Sequence, residues 1–172
     1  MALQDSKSPV AVVMGSDSDL NTMNNCIDQL KEFGITPIVR IISAHRTPEA
    51  AAQFADNAAA NGIKIIIAAA GMAAHLAGSL AGRTQLPIIG VPLAAAEGPN
   101  GMDALLSTVQ MPPGVPVASM AIGKAGAKNA AIFAVQILAL SDPKLNEKLL
   151  AFRAAQSKKV IEKDRSFQSI NK

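Results

Sequence analysis

Short apolar, β-branched runs alternate with helix-period segments along most of the chain. Val10 to Met14, Pro37 to Ile42, Ile63 to Ala68, Pro87 to Val91 and Val115 to Ile122 predict strands. Most of these runs are continuously apolar instead of alternating, the pattern of strands covered on both faces and hence of a parallel sheet. Between them, Asp19 to Phe33, Pro48 to Asn61, Ala73 to Arg83, Met102 to Gln110 and Gly126 to Leu140 predict helices. Gly34 and Gly62 stand where helix-ending glycines belong, and Pro48 opens the second helix at a position where its missing N–H costs little. Strand, helix, strand repeated in this way implies right-handed crossovers and an open, doubly wound α/β sheet of about five parallel strands. Ser141-Asp142-Pro143 then predicts the cap and start of a last helix, from Lys144 to about Asp164. Leu145, Leu149, Leu150, Phe152, Val160 and Ile161 are too many apolar positions for full exposure, so this helix is expected to pack on the body or on another subunit.

A length of 172 residues suits one domain spanning 1–172, with residues 1–8 as a tail. Apolar residues make up 49% and charged ones 17%, which excludes a disordered chain unable to bury enough surface to offset its entropy. No apolar run reaches the ~18 residues that cross a bilayer, and no basic segment precedes an apolar one at the start; no membrane contact and a cytoplasmic location are expected. The single cysteine, Cys26, can form no internal disulfide and lacks the spacing of a zinc site. The formal charge of +3 resides in the C-terminal segment: residues 143–172 hold eight Lys/Arg against three Asp/Glu, a net +5, and the remainder is −2. With aromatic content at 3% and no Trp or Tyr, a solvated helix face explains this charge better than a nucleic-acid surface.

In an open parallel sheet, ligands bind beyond the carboxyl ends of the strands, which selects three loops. The first, Met14-Gly15-Ser16-Asp17-Ser18-Asp19, combines a tight turn, hydroxyls and the N–H groups of a helix start, a natural phosphate site; Ser and Asp there also serve as ordinary caps. A carboxylate at Asp19 can accept from two sugar hydroxyls, and it equally suits the first turn of any helix. The second, Ser43-Ala44-His45-Arg46-Thr47-Pro48, pairs a natural bidentate partner for phosphate with a side chain that titrates near neutrality. The third, Ala68-Ala69-Ala70-Gly71-Met72-Ala73-Ala74-His75-Leu76, brings small residues and a helix start that a carboxylate could approach; His75 is either a packing or a catalytic histidine. No paired carboxylates of glycosidase type, no Gly-x-Ser-x-Gly elbow and no P-loop occur. Gly-x-Gly-x-x-Gly is absent after the first strand, which disfavours NAD and ATP machinery.

Seven segments in order, Met14-Gly-Ser-Asp-Ser-Asp19, Ser43-Ala-His-Arg-Thr-Pro48, Ala73-Ala-His-Leu76, Leu86-Pro-Ile-Ile-Gly-Val-Pro92, Leu105-Leu-Ser-Thr-Val-Gln-Met-Pro112, Gly114-Val-Pro-Val-Ala118 and Ala121-Ile-Gly-Lys-Ala-Gly-Ala-Lys-Asn129, resemble the 5-(carboxyamino)imidazole ribonucleotide mutases of purine biosynthesis, a branch of the AIR carboxylase family. The likeness runs over roughly residues 10–140, and His45-Arg46 looks like the mutase branch, where the branch that uses free CO₂ tends to have His-Lys. The resemblance implies a flavodoxin-like three-layer sandwich, no metal and no organic cofactor. Its substrate would be a ribonucleotide whose carboxylate moves from the exocyclic nitrogen to ring carbon 4. It further implies Ser16, Asp19 and Arg46 as substrate-binding residues, His45 as the proton-transfer group, and Ser18, Ser43, Gly71, His75 and Leu76 as pocket lining. It implies a homo-octamer as well, with the helix over 143–165 packed on a neighbouring subunit. Two other activities are compatible: direct carboxylation of aminoimidazole ribonucleotide by CO₂, and nucleotide binding without turnover.

The chain departs from the family pattern in places. Ala69, Met72 and Ala77 stand where two glycines and a proline are usual, Ala95 where serine is, and Leu20 where tryptophan is. The stretch from Leu93 to Met102 also differs, with one extra residue around Glu97-Gly98-Pro99.

Overall fold

The computed structural model describes residues 8–96 and 98–170; the expected N-terminal tail, apart from Ser8, and Glu97 of the expected insertion lie outside the described residues. Ser8 itself is buried, with its hydroxyl donating to Val10 O at 3.1 Å. Five strands, β1 (Val10–Met14), β2 (Ile38–Ile41), β3 (Ile65–Gly71), β4 (Ile88–Leu93) and β5 (Ala118–Ser119), pair in parallel in the order β2-β1-β3-β4-β5. This is the flavodoxin-like order, with its reversal beside β1. Helices α1 (Leu20–Glu32), α2 (Pro48–Ala58), α3 (Leu76–Ala81) and α4 (Met102–Val109) form the four crossovers, α5 (Lys124–Ala139) follows the last strand, helices flank the sheet on both sides, and α6 (Pro143–Ile170) follows.

The chain divides into two compact units, one ending at Ala134 and one beginning at Val135. The first holds the whole sheet. Alternate residues of its strands build two cores: Ala11, Val13, Ile66, Ala68 and Ile88 pack with Phe54, Ala55 and Ala58 of α2 and Leu76, Ala77 and Leu80 of α3. Val10, Val12, Met14, Ile65, Ile67 and Ala69 point to the other face and are equally buried. The second unit begins its long helix where the sequence expects it: Asp142 Oδ1 accepts from Lys144 N at 3.0 Å and Leu145 N at 3.3 Å, with Pro143 at the first helical position. The helix runs to Ile170, six residues beyond the expected Asp164. None of the described helices is long and apolar enough to cross a membrane.

The two helix-ending glycines behave as expected. Gly34 (φ 83°) and Gly62 (φ 82°) are left-handed, and each closes a Schellman pair, Gly34 N to Lys31 O with Ile35 N to Leu30 O, and Gly62 N to Ala59 O with Ile63 N to Ala58 O. Several boundaries differ from expectation, three of them for clear local reasons. β5 shrinks from Val115–Ile122 to two residues, because Pro112 and Pro113 turn through left-handed Gly114 and Pro116 has no N–H to give to a ladder. The third helix begins at Leu76 instead of Ala73, since left-handed Met72 and the short-range bond from His75 N to Ala73 O hold residues 72–75 in a turn. The first begins as a 3₁₀ turn over Asp17–Asp19 that leads into α1 at Leu20.

Gly90 sets how closely α4 approaches the sheet: a Cβ there would run into Thr108 Cγ2 and lie 3.0 Å from Val117 Cγ1. Thr108 is buried and its hydroxyl donates back to Ala104 O, so it has little room to yield. Gly90→Ala is therefore expected to lower stability by about 1–3 kcal/mol, the cost of overpacking, as a fall in the urea midpoint at unchanged m-value.

Candidate active site

The carboxyl ends of β1, β2, β3 and β4 open into one cavity of about 810 Å³, lined in part by Ser16, Ser18, Asp19, Ser43, His45, Arg46, Gly71, His75 and Leu76. All nine residues singled out from the sequence thus meet in a single space. It lies within the first unit, at the β1/β3 reversal of strand order.

The first wall is a capped helix start. Ser16, with extended backbone, accepts from Ser18 N through its hydroxyl at 3.3 Å, and Asp19 Oδ2 accepts from Ser16 N at 3.0 Å, a reciprocal capping box. The Ser18 hydroxyl donates to that of Ser16 at 3.0 Å, which clusters two hydroxyls at the helix start. Gly15 N donates to Ala69 O at 3.1 Å, extending the β1–β3 ladder by one step and pinning this loop to the third.

The second loop is tied to the first by Arg46. Its Nη2 donates to Gly15 O at 3.2 Å and its Nε to Ser43 Oγ at 3.4 Å. These bonds use two of the guanidinium's five donors and fix its plane beside the capped helix start. Ser43 and Thr47 brace the turn: Ser43 N donates to Thr47 Oγ1 at 3.0 Å and Thr47 Oγ1 to Ser43 O at 2.9 Å. In the third loop, a Cβ on Gly71 would stand 3.2 Å from Leu93 O, a contact tight enough that β4 would have to give by a few tenths of an ångström to admit a side chain.

His45 and His75 come together across the cavity from different loops. Nε2 of His45 lies 2.9 Å from Nδ1 of His75, and the rings meet edge to face at 88° with centroids 5.0 Å apart. One ring must donate and the other accept, so this contact is incompatible with two doubly protonated imidazoles. The open question about His75 resolves here: it sits at the cap position before α3, exposed and facing His45, and is not a packing histidine. Leu76, by contrast, is buried and lines the cavity floor while belonging to the core.

Sequence reasoning missed the fourth loop. Leu93 and Ala94–Ala96 also line the cavity, and the rule of carboxyl-terminal strand ends that selected the other three applies equally to β4. Cys26 takes no part: it is buried in α1, and burial pushes its thiol up to about 12.

A match to the AIR carboxylase family covers residues 9–159. The chain belongs to the AIR carboxylase family. Family relatives include the N5-carboxyaminoimidazole ribonucleotide mutases of Pseudomonas aeruginosa (48% identical, 89% of this chain and 93% of the relative), Brucella melitensis (50%, 90% and 94%) and Escherichia coli K12 (46%, 94% and 95%). Among solved family structures, Treponema denticola PurE superimposes with a TM-score of 0.82 at 28% identity, over 91% of this chain and 96% of that one.

The surroundings of Asp19 make stability depend on pH in the acid range. Burial pushes its carboxyl above its ordinary 3.8, against the opposing pull of the backbone N–H groups of Ser16 and Gly15. The folded state therefore binds this proton more tightly than the unfolded chain, and the resulting stabilisation is complete below 3.8 and lost as pH rises through the raised value. Relative to Asp19→Asn, which keeps an acceptor for Ser16 N, the unaltered protein is expected to gain stability as pH is lowered from neutrality toward 3.8. Urea midpoints of the two proteins across that range check the sign; a constant difference contradicts it.

Proposed function

We propose that this chain moves the carboxylate of 5-(carboxyamino)imidazole ribonucleotide from the exocyclic nitrogen to ring carbon 4, the reaction for which its relatives in Pseudomonas, Brucella and Escherichia are named. The observation that carries this reading is the convergence of a capped helix start, an arginine and a histidine pair on one cavity. A ribonucleotide phosphate carries about −1.5 to −2 charge at pH 7 and suits the hydroxyls of Ser16 and Ser18, the helix-start N–H groups and the remaining donors of Arg46. Asp19, whose carboxyl can accept from two hydroxyls, meets the ribose, and Ser43, through its bond to Arg46, keeps the guanidinium in place.

The chemistry then needs one proton on each side of the transfer. As the bond from the exocyclic nitrogen to its carboxylate breaks, that nitrogen gains a proton and CO₂ is released within the cavity. Carbon 4 attacks the CO₂, and the proton it loses passes to His45. An imidazole that first gives a proton to nitrogen and then takes one from carbon returns to its starting state, so no net proton is consumed. His75 orients that ring through the 2.9 Å contact. Holding CO₂ against carbon 4 contributes through effective molarity, so a cavity that excludes water matters more than a strong nucleophile.

The same reading makes the protein cytoplasmic, in keeping with its single buried thiol, and a homo-octamer. Three apolar surfaces support assembly with further copies of the chain. Met102, Leu106 and Val109 form an exposed stripe along α4, Val39 and Ile41 are exposed on the edge strand β2, and Leu150, Val160 and Ile161 are exposed on α6.

Incubating the protein with the carboxyamino nucleotide at low bicarbonate is expected to yield the carbon-carboxylated product. His45→Asn is expected to lower turnover by about 10²–10⁴-fold with nucleotide binding retained in calorimetry. Near-normal turnover in that variant removes His45 from the mechanism, and product formed only from aminoimidazole ribonucleotide plus CO₂ assigns direct carboxylation instead. Light scattering is expected to give eight times the 17.7 kDa chain mass; a monomer mass contradicts the assembly.

A further inference from the structure

Readily oxidised side chains are few in this chain, and most of them are out of reach. There is no Trp or Tyr, and Cys26 is buried with its thiol pushed up to about 12, so it offers no reactive thiolate. Among the described methionines, Met14 and Met23 are fully buried and Met111 and Met120 partly so, which leaves Met72 at 62% exposed and Met102 at 48%. Met102 belongs to the apolar stripe of α4 that the proposed assembly would cover, whereas Met72 lines the cavity. The backbone at Met72 is left-handed (φ 55°), a conformation that a residue other than glycine keeps only where its surroundings impose it. They do so here: Gly71 backs onto Leu93 O, Ala74 is buried, and His75 N closes onto Ala73 O. The turn thus presents a thioether to solvent in the lining of the cavity, at a position where the family pattern has glycine and nothing to oxidise.

Resting on the mutase reading above, we propose that Met72 is a modification site, a methionine whose oxidation to the sulfoxide by hydrogen peroxide lowers turnover. A lone pair of the sulfur forms the S–O bond as the O–O bond of peroxide breaks, and the departing hydroxide takes the remaining hydroxyl proton and leaves as water. Sulfur is oxidised by two electrons and peroxide reduced by two. The step converts a flexible apolar side chain into a polar one whose oxygen is a strong hydrogen-bond acceptor. Such a group holds water at the cavity, where the transfer of CO₂ depends on water being excluded. The unoxidised methionine has no part in the transfer, in keeping with the glycine usual in the family at this position. Reduction by two thiols, the chemistry of the methionine sulfoxide reductases, returns the thioether and releases water and a disulfide.

The test treats the unaltered protein, Met72→Gly, Met72→Leu and Met102→Leu with hydrogen peroxide, removes the excess with catalase, and measures formation of the carbon-carboxylated product. Each treated protein is compared with its own untreated sample, and peptide mass spectrometry locates every added oxygen. In the unaltered protein, turnover is expected to fall several-fold in step with oxygen added at Met72. Methionine sulfoxide reductases of both stereospecificities, with dithiothreitol, are expected to restore it. Met72→Gly, which adopts the same backbone without strain, and Met72→Leu, which keeps an apolar side chain without sulfur, are expected to resist the treatment. Met102→Leu is expected to lose turnover as the unaltered protein does. The proposal is overturned by full oxidation at Met72 with turnover unchanged, by no oxygen at Met72, or by equal loss in the two Met72 variants, and each of these leaves the mutase reading standing. If the unaltered protein forms no carbon-carboxylated product before treatment, the functional reading itself fails and takes this proposal with it.

Discussion

Parallel pairing of β1 with β3, while β2 lies on the far side of β1, is the constraint from which the site follows. Neighbouring parallel strands end at the same edge of the sheet, and where the order reverses their crossovers depart to opposite faces and leave a crevice. Two hydrogen bonds convert that crevice into a defined cavity. Gly15 N on Ala69 O carries the pairing one residue past the strand, and Arg46 Nη2 on Gly15 O draws in the loop after β2. Gly15 thus serves both neighbours with its backbone alone. A side chain is needed only where the ligand is to be met.

The cavity lining combines two kinds of residue. Ser16, Ser18, Asp19, Ser43 and Arg46 are polar, and most of these groups are already engaged with one another. Such bonds hold the donors in place before any ligand arrives, which lowers the ordering cost of binding. Ala70, Met72, Ala73, Leu76 and Ala94–Ala96 are apolar. The two histidines meet ring to ring, one contributed by the loop after β2 and one by the loop after β3.

Tight helix-to-sheet packing keeps the frame behind the cavity rigid. With few aromatic residues, the core is filled by Ala, Ile, Val and Leu, and small residues permit close approach: Gly90 under Thr108, and Gly78 with Met111 Sδ at a spacing that would leave a Cβ 3.0 Å away. Well-packed cores transmit displacement instead of absorbing it, so the loop positions are set by the strands beneath them.

The sequence by itself determined the layer order, the helix stops and the loops that would carry chemistry. These depend on local signals: continuous apolar runs, Gly34 and Gly62 at left-handed positions, Asp142-Pro143 at a helix start, and polar residues directly after strands. Where several local signals compete, it was less informative. The apolar run at 115–122 reads as a strand, yet its prolines and Gly114 leave two residues in the ladder. Residues 73–75 read as helix, yet the turn enforced at Met72 delays α3 and frees His75 to reach His45. The bond between two histidines thirty positions apart and the tether of Arg46 to Gly15 had no signature along the chain. Only the tertiary structure decided these. They depend on which strands become neighbours, and a run of apolar residues states that a strand is buried without stating what it lies beside.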